Sequence, residues 1–155
     1  MTSTKAILVP IDFSETSAQA LEYAKEFARR FEKGLHLLHV VSDADVSPGT
    51  EAFWGFSDQD VQRRWNEVAT AKLEGHCSDQ EQAEFGLRTA VEIGTPFVEI
   101  IRYARTHEID LIVMGTHGRG AVKHLLMGSV AEQVVRQAPC PVLTVRHPSH
   151  KFERL

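Results

Sequence analysis

Five short apolar runs punctuate this chain: Lys5–Pro10, Leu35–Val41, Phe85–Ile93, Ile109–Met114 and Pro141–Arg146. Each is too short for a helix that must bury one face, and each is bounded by Gly, Pro or polar residues, so each reads as a strand. The stretches between them carry a helical period. Ala18, Leu21, Ala24, Ala28 and Phe31 recur every three or four residues, which predicts an amphipathic helix capped by Ser14 and closed at Gly34. Val61, Trp65, Val68, Ala69 and Leu73 predict a second helix from Asp58 to about Cys77. Thr95-Pro96 opens a third that buries Val98, Ile101 and Ala104. Ser129-x-x-Glu132 reads as a capping box, with Val130, Val134 and Ala138 on the inner face of a fourth.

Strand and helix alternating in this way imply an α/β fold, a mostly parallel, doubly wound sheet joined by right-handed crossovers. The third run alternates apolar Phe85, Leu87, Thr89, Val91 and Ile93 with Gly86, Arg88, Ala90 and Glu92, the pattern of a strand with one wet face at a sheet edge. No repeat or linker divides the chain, so residues 1–147 are expected to form one domain and 148–155 a tail.

In such sheets ligands bind beyond the carboxyl ends of the strands, where the winding reverses. If the strand order is 3-2-1-4-5, that point lies between the first and fourth strands. Their ends are Pro10-Ile11-Asp12 and Met114-Gly115-Thr116. After the second of these comes GTHGRGAVKHLLMGS, which holds four of the chain's ten glycines, at Gly115, Gly118, Gly120 and Gly128. A strand, a glycine-rich loop and a helix N-terminus form a recurrent anion site, because unpaired N–H groups and the helix dipole converge there. The amides around Gly118 and Gly128–Val130, with the Ser129 hydroxyl, are the candidate phosphate donors. Arg119, Lys123 and His124 add positive charge, while Glu132 opposes it unless turned back onto the cap. The pattern is neither a P-loop, since Ala121-Val122 follow Gly120, nor a dinucleotide fingerprint, since Lys123 stands at the third glycine.

Gly115-x2-Gly118-x9-Gly128-Ser129 resembles the ATP-binding signature of the universal stress protein family. Val9-Pro10-Ile11-Asp12-Phe13-Ser14 and Ala138-Pro139-Cys140-Pro141-Val142 resemble that family's two ends. The resemblance implies a flavodoxin-like five-stranded sheet of order 3-2-1-4-5 and a homodimer paired through the final strand, 141–146. It places Asp12, with Pro10, Ile11 and either Val40 or Val41, on the adenine and ribose side. It places Met114, Gly115, Thr116, His117, Gly118, Arg119, Gly128, Ser129 and Val130 around the phosphates of ATP, with Mg2+ or Mn2+ held through them. The expected role is a nucleotide-sensing regulator of the stress response, acting on an unknown protein partner. The alternative is a slow ATPase or nucleotidyl-transferase-like enzyme, for which His117 is the one nearby candidate base.

Composition narrows the setting. A net charge of −4 argues against non-specific nucleic-acid binding. No apolar stretch approaches the roughly 18 residues of a membrane span, and the N-terminus lacks the form of a signal peptide. Cys77 and Cys140 make no disulfide framework or CxxC pair, so a reducing cytoplasm is expected. His36 and His39, three apart on a strand, point to opposite faces and should not share a metal. The polar loop 42–57, with Phe53, Trp54 and Phe56, is expected to anchor itself through those aromatics.

Overall fold

The computed structural model describes residues 5–42, 58–117 and 127–147. The expectations for Gly118, Gly120, Arg119, Lys123, His124, for the aromatics of the 42–57 loop and for the tail fall outside these residues. The described chain runs β1 (Ala6–Pro10), α1 (Glu15–Phe31), β2 (Gly34–Ser42), α2 (Asp58–Glu74), α3 (Asp79–Phe85), β3 (Arg88–Gly94), α4 (Pro96–Thr106), β4 (Leu111–Gly115), α5 (Ser129–Gln137) and β5 (Val142–Val145). The strands form one sheet in the order β3-β2-β1-β4-β5, parallel at each pairing. This is the expected doubly wound α/β architecture, with β3 at one edge.

The strands are nearly continuous apolar runs because both faces of the sheet are covered. Side chains alternate between two cores. Ile7, Val9, Leu35, Leu37 and Val113 pack beneath α1, with Leu73 of α2 and Phe85 of α3. Ala6, Leu8, Leu38, Ile112 and Met114 pack against Ile100, Tyr103 and Ala104 of α4 and Ala131 and Val134 of α5. Leu8, Leu37, Leu38 and Ile112 are fully enclosed. Each is worth about 1.5–3 kcal/mol of burial, so truncating any of them to Ala would cost about 2–5 kcal/mol.

Several local readings are corrected. The second helix ends at Glu74, a separate short helix α3 follows it, and Phe85 ends α3 rather than opening β3. Gly86, at φ 52°, makes the turn that separates them. Ser78 and Glu81 form a full capping box at the start of α3, a signal the sequence carried unread. On α2 the buried side is Ala69 and Leu73, while Trp65 and Val68 face outwards. Likewise α4 buries Ile100, Ile101 and Ala104 and exposes Val98. Phe31 is also exposed, and α1 is closed by Glu32 at φ 52° rather than by Gly34, which opens β2. Thr95 does occupy the N-cap of α4 but makes no side-chain cap bond.

Candidate functional site

Register shapes the carboxyl edge of the sheet. Pro10, the last residue of β1, lies opposite Leu38, so His39 to Ser42 extend past β1 and pair only with Val91 to Gly94 of β3. Beside this overhang the chain leaves β1 through Ile11 and Asp12. Ile11 is pinned to β2 from both sides: its N–H donates to Leu38 O at 2.8 Å, and its carbonyl accepts from His39 Nδ1 at 2.7 Å. A carbonyl can only accept, so Nδ1 carries the proton in this arrangement.

Asp12 follows, half-buried. Its Oδ1 accepts from the Ser14 N–H at 3.0 Å and from the Ser14 hydroxyl. Ser14 in turn is the N-cap of α1, its Oγ accepting from the Ser17 N–H at 3.2 Å. The carboxylate therefore organises the start of α1. Val40 packs on the α4/α5 side, and alternation puts Val41 on the other. The two valines cannot line the same wall.

β4 delivers the second half. It lies next to β1, with Leu8 opposite Ile112, so Asp12 and Thr116 emerge from adjacent parallel strands. Gly115 lies over α1: a Cβ built there would come within 2.7 Å of Thr16 Cγ2. Close packing of α1 thus requires this glycine. Thr116 is buried, its N–H bonded to Val145 O at 2.8 Å, and its Oγ1 lies 3.0 Å from His117 Nδ1.

The chain returns at Gly128, whose N–H donates to Thr116 O at 2.7 Å. That bond ties the two ends of the glycine-rich stretch together at the tip of β4. Gly128, not Ser129, is the N-cap of α5, and it is extended (φ −71°, ψ 158°) with no side-chain cap. The expected Ser129–Glu132 capping box is therefore not formed. Glu132 sits one position too far along: its N–H bonds Gly128 O at 3.0 Å, and its carboxylate pairs with Arg136 at 2.9 Å on the helix exterior. The opposition to an anion expected from Glu132 is correspondingly weaker. Ser129, Val130 and Ala131 are the first three residues of α5, the positions whose N–H groups lie ahead of a helix's own i→i−4 ladder.

The sheet thus brings together Pro10, Ile11, Asp12, Met114, Gly115, Thr116, His117, Gly128, Ser129 and Val130 along its carboxyl edge. Phe13, His39 and His76 also gather there, none of them part of the glycine pattern. Phe13 was visible in sequence only as a neighbour of Asp12. His39 and His76 lie 37 residues apart in the chain.

A parallel α/β sheet with a helix N-terminus at its switch point defines a class of small nucleotide- and phosphate-binding folds. Within that class, the family model of the Universal stress protein family matches residues 3–146. The chain belongs to the universal stress protein family. It is 30% identical to Universal stress protein MJ0577 of Methanocaldococcus jannaschii, covering 92% of this chain and 94% of that protein. The solved structure of MJ0577 superposes with a TM-score of 0.77 over 96% of this chain and 100% of its own. Universal stress protein UspA from Lactobacillus plantarum is 32% identical, with a TM-score of 0.71 over 92% and 98% of the two chains. A universal stress protein solved in complex with cAMP shares the fold at 20% identity, with a TM-score of 0.68 over 96% and 100%.

Proposed function

We propose that this chain is an ATP-binding universal stress protein, a holder of nucleotide whose occupancy biases an interaction with a regulatory partner. The observation that carries the reading is the Gly128–Thr116 bond, which sets the start of α5 at the carboxyl end of β4, the strand next to the one that Asp12 follows. Phosphates would take the amides of Ser129, Val130 and Ala131 and the Ser129 hydroxyl, and Gly118 and Arg119 of the motif are proposed as further phosphate contacts. Asp12 and Val40, which shares a face with α5, would meet the ribose and adenine. Among the described residues no group of three or more His, Cys, Asp or Glu is placed to hold a metal. Mg2+ or Mn2+ is therefore read as arriving on the phosphate oxygens. That the same fold holds cAMP in another family member supports an adenine nucleotide as the ligand class.

Two measurements test this. Mass spectrometry of small molecules released from the denatured protein should find an adenine nucleotide, or ATP with Mg2+ should raise the melting temperature. At a hundredfold excess over Kd the stabilisation is about 2.7 kcal/mol, or about 5–10 °C for a chain of this size. No nucleotide and no shift at millimolar ATP would sink the proposal. Gly128→Val is a poor probe, because its Cβ would lie 3.1 Å from Thr116 O and strain the loop closure itself. Ser129→Asp is better. A carboxylate in the first turn of α5 favours the helix by about 0.3–1 kcal/mol but repels phosphate, so the unliganded protein should melt no lower while the ATP shift disappears.

The same reading includes a homodimer through the final strand. β5 pairs with β4 on one side, and its other edge has no strand partner among the described residues, the condition under which an edge recruits a second copy.

A further inference from the structure

We propose that Phe13 is a positioning residue for the nucleotide cleft, the joint through which the α2–α3 turn holds Asp12 in place; this rests on the nucleotide-binding reading above. Phe13 has φ 63°, the left-handed region that a bulky residue avoids. Such a conformation persists only where the surroundings impose it, and it gathers at sites that need it. Here the need is local. Asp12 Oδ1 reaches forward two residues to the Ser14 N–H, an Asx turn. The chain must reverse between them, and Phe13 makes the reversal.

The surroundings that impose it come from three elements. The His39 ring of β2 lies 4.6 Å from the Phe13 ring, tilted by 46°. The His76 ring, in the turn between α2 and α3, stacks at 5.9 Å and 18°. Lys72 Nζ of α2 lies 5.3 Å from the ring centroid, within cation–π range. His39 also holds the Ile11 carbonyl, so one imidazole fixes the residue before Asp12 through a hydrogen bond and the residue after it through ring contact. His76 and Lys72 belong to no strand end, and both touch Phe13, the residue that follows Asp12. A displacement of the α2–α3 turn is thereby transmitted to the carboxylate on the cleft wall.

The ring and the backbone angle separate by mutation. Phe13→Gly adopts φ 63° freely and gives up the ring; Phe13→Tyr keeps the ring. Titration of the full-length protein with ATP and Mg2+ should show affinity falling about tenfold in Phe13→Gly and in His76→Ala, and restored in Phe13→Tyr. A double-mutant cycle then decides the route. If His76 acts through Phe13, His76→Ala adds no further loss in the Phe13→Gly background. The melting temperature of the unliganded variants reports lost packing, whereas the coupling in nucleotide affinity reports the route to the cleft. Native-level affinity in Phe13→Gly, or additive losses in the cycle, overturns the proposal while leaving nucleotide binding intact. Absence of ATP binding by the native protein takes down both readings.

Discussion

His36 offers a measurable consequence of burial alone. It lies on β2 under α4, 6% exposed, with Nδ1 3.1 Å from the Tyr103 hydroxyl. Tyr103 stacks on His107 at 3.8 Å, and the His36 ring meets the edges of both. Arg88 of β3 lies opposite it in register. Burial above all, then the positive charge of Arg88 and His107, pulls the His36 imidazole from 6.5 down to about 4. The unfolded chain therefore binds a proton across a window where the folded chain refuses it. Stability from this group is complete above pH 6.5 and is lost progressively as pH falls towards about 4. At about 1.4 kcal/mol per pKa unit, the full loss is on the order of 3–4 kcal/mol, a large part of the 5–15 kcal/mol typical of a domain. His36→Gln keeps a polar group near Tyr103 and removes the titration. Urea unfolding of both proteins across this window should show the native protein losing stability faster than the variant, the two curves converging as pH falls. Carboxylate titrations are common to both and cancel in the difference. Curves that stay parallel over the whole window would refute the reasoning.

Gly115→Ala should cost about 1–3 kcal/mol in urea unfolding through its clash with Thr16, and Thr16→Ser, which removes the Cγ2 that the new Cβ would meet at 2.7 Å, should recover part of it. No rescue would mean that the glycine serves something other than α1 packing. Thr144→Asp on β5 sets two like charges against each other in a strand-paired dimer, and Thr144 belongs to neither core cluster. Light scattering should then report monomer where the native protein reports dimer, and an unchanged dimer mass would place the interface elsewhere.

The architecture was legible because each strand and four of the helices announce themselves by period. What period does not supply is the choice of face and the exact ends. Trp65, Val68, Ala69 and Leu73 all fit one helical side, yet only Ala69 and Leu73 meet the sheet. The helix lies over β2 and β3 through its last turns, which no spacing rule reveals. α3 was invisible to period because Phe85 is its one buried residue. Phe85-Gly86-Leu87 then imitated the alternation of the strand that follows. The capping-box pattern failed at Ser129 and succeeded at Ser78 for the same reason: a cap is decided by where the preceding chain is tied. Thr116 O holds Gly128 and so moves the α5 cap one residue upstream.

At the candidate site, spacing indicated which residues meet at the carboxyl edge of the sheet but not what each is bonded to there. Asp12 is committed to Ser14 and the α1 cap, Gly115 to Thr16, and Gly128 to Thr116. Each would be required of a protein with this fold whether or not a ligand were bound. A glycine pattern can thus reflect packing, and its completeness is weak evidence for a nucleotide. The amides of Ser129, Val130 and Ala131 have no partner among the described residues, and they stand at the positive end of a helix whose first-turn carboxylate, Glu132, is paired outwards with Arg136. Substitutions at the motif glycines disturb packing and binding together. Ser129→Asp strengthens the helix while opposing the anion, so the two effects have opposite signs and a single pair of melting curves separates them.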